Sequence, residues 1–487
     1  MGQEPAADPP RHRPDGKPRL TARAAKHGIA AALGLGLSAC AAVGPDYVKP
    51  AAIVAAQYKE IKGWKLAAPR DDFAKGEWWT AFGDPELNRL EAMVAVSNQT
   101  LKADEANYRQ AVALVAQGRA QALPGLNFNP SLTRSHGNSG YADNLNAELG
   151  ASWAPDIWGK VRRTVESDAA AAQASAATLA NAKLSAQSTL AIAYAQLRQA
   201  DSLDALLGET IAQYRRSQDI ANNQYTAGTT SKADFITAQA QLLSAQAQKI
   251  NAGVARAQNE HAIAVLVGRP PAGLTIGHGA LAENIPSIPL RLPSTLLERR
   301  PDIAAAERTM AERNASIGVA IGGYYPDITL SGAFGYSGNP FIKQLAGANP
   351  VWNIGLSAAQ TIFNGGATAA GVEGARAAYD SSVATYRQTV LSAFQQVEDQ
   401  LAAIRILTRE AGVQAEATKA AREAVQIAVN EYQAGTQTYT TVATAQATLL
   451  SDEEAALTTR GQRMAAAINL VAALGGGWSE AKLAASR

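Results

Sequence analysis

The sequence predicts a mainly α-helical, internally duplicated fold with a small transmembrane β part. Three observations predict it. First, Ala221-Asn222-Asn223-Gln224-Tyr225-Thr226-Ala227-Gly228-Thr229 reads against Ala428-Val429-Asn430-Glu431-Tyr432-Gln433-Ala434-Gly435-Thr436, 207 positions on, and the match continues ungapped. Thr237-Ala238-Gln239-Ala240 falls on Thr444-Ala445-Gln446-Ala447, and Leu242-Leu243-Ser244 on Leu449-Leu450-Ser451. The duplicated unit, roughly 200 residues, is far longer than a solenoid repeat. Second, very long stretches lack proline and carry a seam with a 3.5-residue period. Third, short segments with a period of two occur once in each half.

Composition agrees. Of 487 residues 47 % are apolar, but only 6 % are aromatic. Alanine supplies much of the rest; it is the best helix former and buries little area, which suits close-packed long helices. A net charge of +2 argues against nucleic acid as the partner. From Cys40 onward no apolar run reaches the ~18 residues of a membrane-spanning helix.

The N-terminus reads as an export signal. Arg11, Arg13, Lys17, Arg19, Arg23 and Lys26 precede the apolar run Ile29 to Leu37. Small residues then lead to Cys40, the chain's one cysteine, as a signal peptide requires. Leu37-Ser38-Ala39-Cys40 resembles a bacterial lipobox. That implies a signal peptide over 1–39 and a lipidated Cys40 as the new N-terminus, anchored to the membrane rather than spanning it. By resemblance to enteric lipoproteins, Ala41 favours the outer membrane. The alternative is a free cysteine in an alanine-rich stretch. The long leader carries Glu4, Asp8 and Asp15, which leaves a downstream start codon open.

Residues 40–83 read as an extended strap over the surface. The first repeat is expected over 84–268. Asp84-Pro85-Glu86 opens a helix, with Asp as N-cap and Pro in the first turn; a break follows near Ser97-Asn98. From Pro124 the period becomes two. Leu126, Phe128 and Leu132 alternate with Asn127, Asn129, Ser131 and Thr133. After the turn-rich His136 to Gly140, Leu145, Ala147, Leu149, Ala151 and Trp153 oppose Asn144, Asn146, Glu148 and Ser152. This is a hairpin over about 125–154 with strands of about 10 residues.

A helix then runs from Trp158 to about Gln224, turns near Gly228 and returns to about Val267. Its seam is Leu190, Ala193, Leu197, Ala200, Asp204, Leu207, Ile211, Tyr214, Gln218, Ala221 and Tyr225, a coiled-coil period. A proline-rich linker spans 269–293. The second repeat, 294–475, has its hairpin over about 326–363 and its tip near 435. There Ile328, Leu330, Phe334, Trp352, Ile354 and Leu356 form the apolar set. A flexible tail covers 476–487.

Strands of this length and pattern cross a bilayer when tilted. The soluble alternative is two hairpins packed on helices. In lipid a sheet must close, because an open edge leaves backbone groups unpaired. Four strands cannot close a barrel that passes solute, so several chains must share one.

Further motifs point to a family: Val43-Gly44-Pro45-Asp46-Tyr47 after Cys40, Phe82-Gly83-Asp84-Pro85-Glu86-Leu87, Asp156-Ile157-Trp158-Gly159-Lys160-Val161-Arg162-Arg163, Arg299-Arg300-Pro301-Asp302-Ile303, Ile362-Phe363-Asn364-Gly365-Gly366, and the repeated Tyr-x-x-Gly-Thr. In this order they resemble the TolC-like outer-membrane factors of tripartite efflux pumps, specifically the NodT-type lipoprotein subgroup. The resemblance implies a homotrimer in which a 12-stranded β-barrel, four strands per chain, continues into a long α-helical coiled-coil barrel. It implies docking to a periplasmic membrane fusion (adaptor) protein and, through it, to a proton-driven inner-membrane transporter.

The tips carry the site expectations. Gly228, Thr229, Gly435 and Thr436 are small, which would let an adaptor approach closely. Asp234 and Tyr432 are expected, by resemblance, to face each other in a periplasmic gate, the tyrosine hydroxyl donating to the carboxylate. Many relatives carry an acidic ring after the second tip. Here Thr440 to Gln446 holds no carboxylate, so Thr440 and Thr444 are expected to form a neutral ring. Arg299-Arg300 reads as a helix start bearing surface arginines.

No enzyme, cofactor or metal is expected. His12, His27, His136, His261 and His278 lack metal-ligand spacing, and neither a phosphate-binding loop nor a nucleophile elbow is present. The function expected is a passive outer-membrane exit duct for small molecules. The alternatives are a periplasmic structural coiled-coil lipoprotein and a duct for type I protein secretion.

Overall fold

The computed structural model describes residues 42–52, 55, 57–60, 77–138, 140–286, 288, 296–338 and 349–479. Cys40, the expected signal segment 1–39, residues 339–348 and most of the expected tail (480–487) lie outside the described residues.

Helix α1 (Pro85–Ser97) starts as its capping signals dictate: the Asp84 carboxylate accepts from the backbone of Glu86 (2.9 Å) and Leu87 (3.1 Å). Asn98 makes the break. It caps α1, and its side chain accepts from Leu101 N at 3.1 Å to start α2 (Gln99–Ala120). Strands β1 (Gly125–Gly137) and β2 (Gly140–Trp153) follow. Helix α3 (Lys160–Thr226) turns into α4 (Lys232–Leu266). The second half gives α5 (Pro301–Gly322), β3 (Asp327–Gly338), β4 (Asn349–Ala359), α6 (Ala367–Gln433) and α7 (Tyr439–Ala473). The duplication is reproduced in length, since α3 and α6 each have 67 residues and α4 and α7 each have 35. Among the described residues no helix is long and apolar enough to cross a membrane.

The chain divides into two units. The first comprises 1–45, 119–164 and 316–372 and holds the sheet, antiparallel in the order β1-β2-β3-β4. Residues directly opposite in such a ladder share a face. Phe128 opposes Leu149, Leu149 opposes Phe334, and Phe334 opposes Trp352. One row up, Leu126, Ala151, Gly332 and Ile354 line up the same way. All the predicted apolar positions therefore lie on one face, and Leu126, Phe128, Leu132, Leu149, Trp352, Ile354 and Leu356 are exposed there.

The first hairpin pairs further toward its turn than expected. Its strands have 13 and 14 residues, and pairing continues through His136↔Tyr141 to Gly137↔Gly140. The supposed turn residues pair because their side chains do: the rings of His136 and Tyr141 lie 4.4 Å apart, and the Arg134 guanidinium lies over Tyr141.

The second unit (46–118, 165–315, 373–487) carries the apolar core, with Leu90, Val94, Leu190, Leu197, Ile263, Val397, Leu401 and Ile468 fully buried or nearly so. The linker is locked to it. Arg256 donates to Ile276 O (2.7 Å), Arg198 to Gly277 O (2.6 Å), and Asp201 binds both arginines. Arg300 is not a surface arginine. It is buried and donates to Ala473 O and Gln396 (both 2.9 Å) as well as to Asp302. A lone motif at a helix start does not disclose that another helix ends against it.

Candidate functional site at the hairpin tips

The two helix-hairpin turns are built alike. In the first, Gly228 N donates to Tyr225 O (3.0 Å) and Thr229 N to Gln224 O (2.9 Å); in the second, Gly435 N donates to Tyr432 O and Thr436 N to Glu431 O, both at 3.0 Å. This pair of bonds closes a helix on a left-handed residue. Gly228 and Gly435 have φ of 73° and 74°, and an added Cβ would meet nothing within 4 Å. Glycine is required there for its backbone alone. Thr229 and Thr436 donate their hydroxyls to Gln224 O and Glu431 O. All four predicted docking residues are thus exposed or nearly so on two matched, tightly closed turns.

Below the turns the copies differ. Ala221, Ala238, Ala428, Tyr432, Tyr439 and Val442 form a small core. Tyr432 is 4 % exposed and Tyr439 1 % exposed, their rings edge-to-face at 5.4 Å. The Tyr439 hydroxyl donates to Gln241 (3.3 Å); Gln241 in turn donates to Ala443 O, and Gln224 to Tyr432 O, both at 3.3 Å. Gln446 donates to Ser217 at 2.9 Å. Glutamines therefore stitch the first hairpin to the second.

The predicted Tyr432–Asp234 hydrogen bond is absent. Asp234 accepts instead from Thr230, four residues earlier, in a short contact. A partner on the same turn costs less ordering than one on another helix, so it takes the carboxylate first. Among the described residues the Tyr432 hydroxyl is buried with no hydrogen-bond partner. Burial pushes both phenols above their ordinary value; at Tyr432 the nearby Thr230 hydroxyl opposes this, and at both the Asp234 charge adds to it. Both phenols therefore stay protonated, and Tyr439 keeps its donor to Gln241.

Thr440 and Thr444 are exposed on α7, and Thr444 donates to Thr440 O at 2.9 Å. They line an open groove of about 690 Å³ between α4 and α7, with Thr237, Gln241 and Thr448, and Asp452 at its end. Its walls are small or hydroxyl-bearing, and that one carboxylate is its charge. Gln224, Gln241 and Gln446 are the residues that sequence reasoning missed. Tyr439 was legible as a divergence between the copies, since it replaces Lys232 of the first.

The comparisons fit this geometry. The family profile described as outer membrane efflux protein matches residues 92–269 and again 292–476. The toluene efflux pump outer membrane protein TtgC of Pseudomonas putida is 28 % identical over 455 residues, covering 91 % of this chain and 94 % of its own. Nodulation protein T of Rhizobium leguminosarum bv. trifolii is 29 % identical over 410 residues, 82 % of this chain and 86 % of its own. Among solved structures, the outer-membrane channel OprN matches with a TM-score of 0.83 at 27 % identity, over 90 % of this chain and 99 % of its own.

Proposed function

The chain belongs to the outer membrane efflux protein family, and on that premise we propose that three copies close one 12-stranded barrel and line one helical duct. The chain is an outer-membrane efflux channel. The observation that carries the assembly is the sheet. Its exposed large apolar side chains, Val351 apart, lie on one face, and among the described residues β1 and β4 each pair on one side only. Head-to-tail pairing of β4 with β1 of the next copy closes a ring and removes both edges. Exposed apolar residues also recur at multiples of seven, Ile236, Leu243 and Ile250 on α4 and Ile406, Val413 and Ile427 on α6. That spacing suits helix contacts between copies.

In this reading the repeats run 84–268 and 294–475, in keeping with the double family match. The channel is passive. A periplasmic adaptor docks at Gly228, Thr229, Gly435 and Thr436, and a proton-driven inner-membrane transporter supplies the energy. Cys40 carries the lipid anchor in the outer membrane. The gate comprises Asp234, Tyr432, Thr440 and Thr444, held closed by the Tyr432–Tyr439 contact and the glutamine bridges, with a neutral rather than acidic lining. Purified protein should give uniform conductance steps in planar bilayers. A chain beginning after residue 40 that dissolves without detergent and conducts nothing would contradict the proposal and favour a soluble scaffold.

A further inference from the structure

Residues 42–45 are gripped by the sheet-bearing unit in a way that lipid attachment alone does not explain. Arg163, in the first turn of α3, is 4 % exposed. It donates to Val43 O (3.0 Å) and Gly44 O (3.1 Å), with a longer contact to Ala42 O (3.5 Å). Val43 N donates to Trp158 O at 3.0 Å. Gly44, with φ of 96°, crosses Gly318 so closely that a Cβ on Gly44 would lie 2.5 Å from Gly318 Cα. A Cβ on Gly318 would lie 2.7 Å from Val43 O, and one on Gly159 2.5 Å from Ala42 Cα. Backbone meets backbone at these crossings, where only hydrogen fits.

The grip lies beside aromatic side chains where strands meet helices. The Trp158 ring stacks on Tyr325 at 4.9 Å, and its Nε1 donates to Pro326 O at 2.8 Å. Trp153 Nε1 donates to Ala122 O at 2.9 Å, and Phe363, four residues past the end of β4, is exposed. In outer-membrane barrels such aromatics mark the lipid–water boundary.

We infer that Arg163, with Gly159 and Gly318, forms a receptor for the N-terminal segment that fixes where the lipid anchor enters the membrane. The inference rests on the reading of Cys40 as acylated. Val43 is three positions after residue 40, a reach of about 11 Å at full extension. The acyl group is therefore delivered beside the aromatic belt on a short, clamped tether, and Arg163 acts as its positioning residue.

The test uses the full chain in phosphatidylethanolamine–phosphatidylglycerol vesicles, with a nitroxide on Val43→Cys; an acylated Cys40 has no free thiol to compete. The label should be immobilised and at interfacial depth. Arg163→Ala should raise its mobile fraction roughly tenfold, since a buried guanidinium holds these carbonyls by charge-assisted bonds, and Arg163→Lys should restore part of the immobilisation. Gly44→Ala alters only the gripped segment and should release the label as well. A mobile label with native Arg163, or one unmoved by both Arg163→Ala and Gly44→Ala, overturns the clamp. Mass spectrometry of the N-terminal peptide separates the two readings. A missing acyl mass overturns the anchor and this proposal with it, whereas an acylated chain with a mobile label overturns the clamp alone.

Discussion

Replacing Tyr432 by phenylalanine separates two ways of holding the tip closed. The ring of Tyr432 packs edge-to-face on Tyr439 at 5.4 Å, while its hydroxyl is buried without a partner among the described residues. A buried hydroxyl lacking a partner costs about 1–3 kcal/mol. Tyr432→Phe removes that cost and keeps the ring contact, worth about 0.5–1.5 kcal/mol, so the closed tip should be at least as stable as before. Tyr439→Ala does the opposite. It empties a site that is 1 % exposed and deletes the donor to Gln241. Removing a buried aromatic costs about 3–5 kcal/mol in a core. If about 2 kcal/mol of this falls on the closed state alone, the open-to-closed ratio rises roughly thirtyfold. Single-channel recording at fixed voltage reads that ratio, and bacterial sensitivity to a large antibiotic reads its consequence. Tyr432→Phe should record as wild type and Tyr439→Ala as mostly open. Equal opening by both would show that the Tyr432 hydroxyl, not the ring stack, holds the gate.

Other positions give independent checks. Burial pushes the Glu91 carboxyl up from 4.5 to about 9, and it has no partner among the described residues. Its contribution to stability is thus fully present below pH 4.5 and lost as pH rises through 9. Glu91→Gln should melt like wild type at pH 4 and gain above it, by about 3 kcal/mol at pH 7; parallel melting curves at all pH values would refute this. Arg300→Ala leaves Ala473 O and Gln396 without their donor and should cost about 2–3 kcal/mol, discounted for the partly exposed Asp302; the melting temperature reads it. Arg300→Lys should recover only part, because one ammonium cannot replace a fork of donors. Gly435→Ala meets open space but φ of 74°, so about 1 kcal/mol of backbone strain should speed amide exchange at 430–436 roughly fivefold. Unchanged exchange there would remove the conformational reason for glycine.

Much of the fold was legible because each signal is local. The Asp84 cap, the break at Asn98 and the alternation from Leu126 to Thr133 depend on neighbours in the chain. So do the paired turns at Gly228 and Gly435, where the duplication made one reading check the other. What stayed hidden depends on distant partners. Asp234 was matched with Tyr432 across helices, but Thr230 was nearer and took the carboxylate. Arg300 looked solvated because its acceptor at Ala473 lies 173 residues away. Glu91 was partly readable, since it stands four residues after Leu87 and three before Val94, on the buried stripe of α1. Tyr225 and Tyr432 occupy equivalent places in the repeat, yet Tyr225 is exposed and Tyr432 buried. Identical residues in duplicated sequence acquire different surroundings once one copy packs against the other.

Ring closure by three chains is tested most directly by disulfides between sheet edges. A cysteine at Ser131 in β1 is combined in turn with one at Val351, Asn353 or Ser357 in β4, in chains with no free thiol at residue 40. Within one chain these strands are separated by β2 and β3, about 14 Å at the usual strand spacing, too far for a disulfide. Oxidation in the outer membrane should therefore link chains, giving a covalent ladder of one, two and three subunits that stops at three for the pair in register. No linkage for any pair, or a ladder that runs past three, would contradict a closed trimeric barrel.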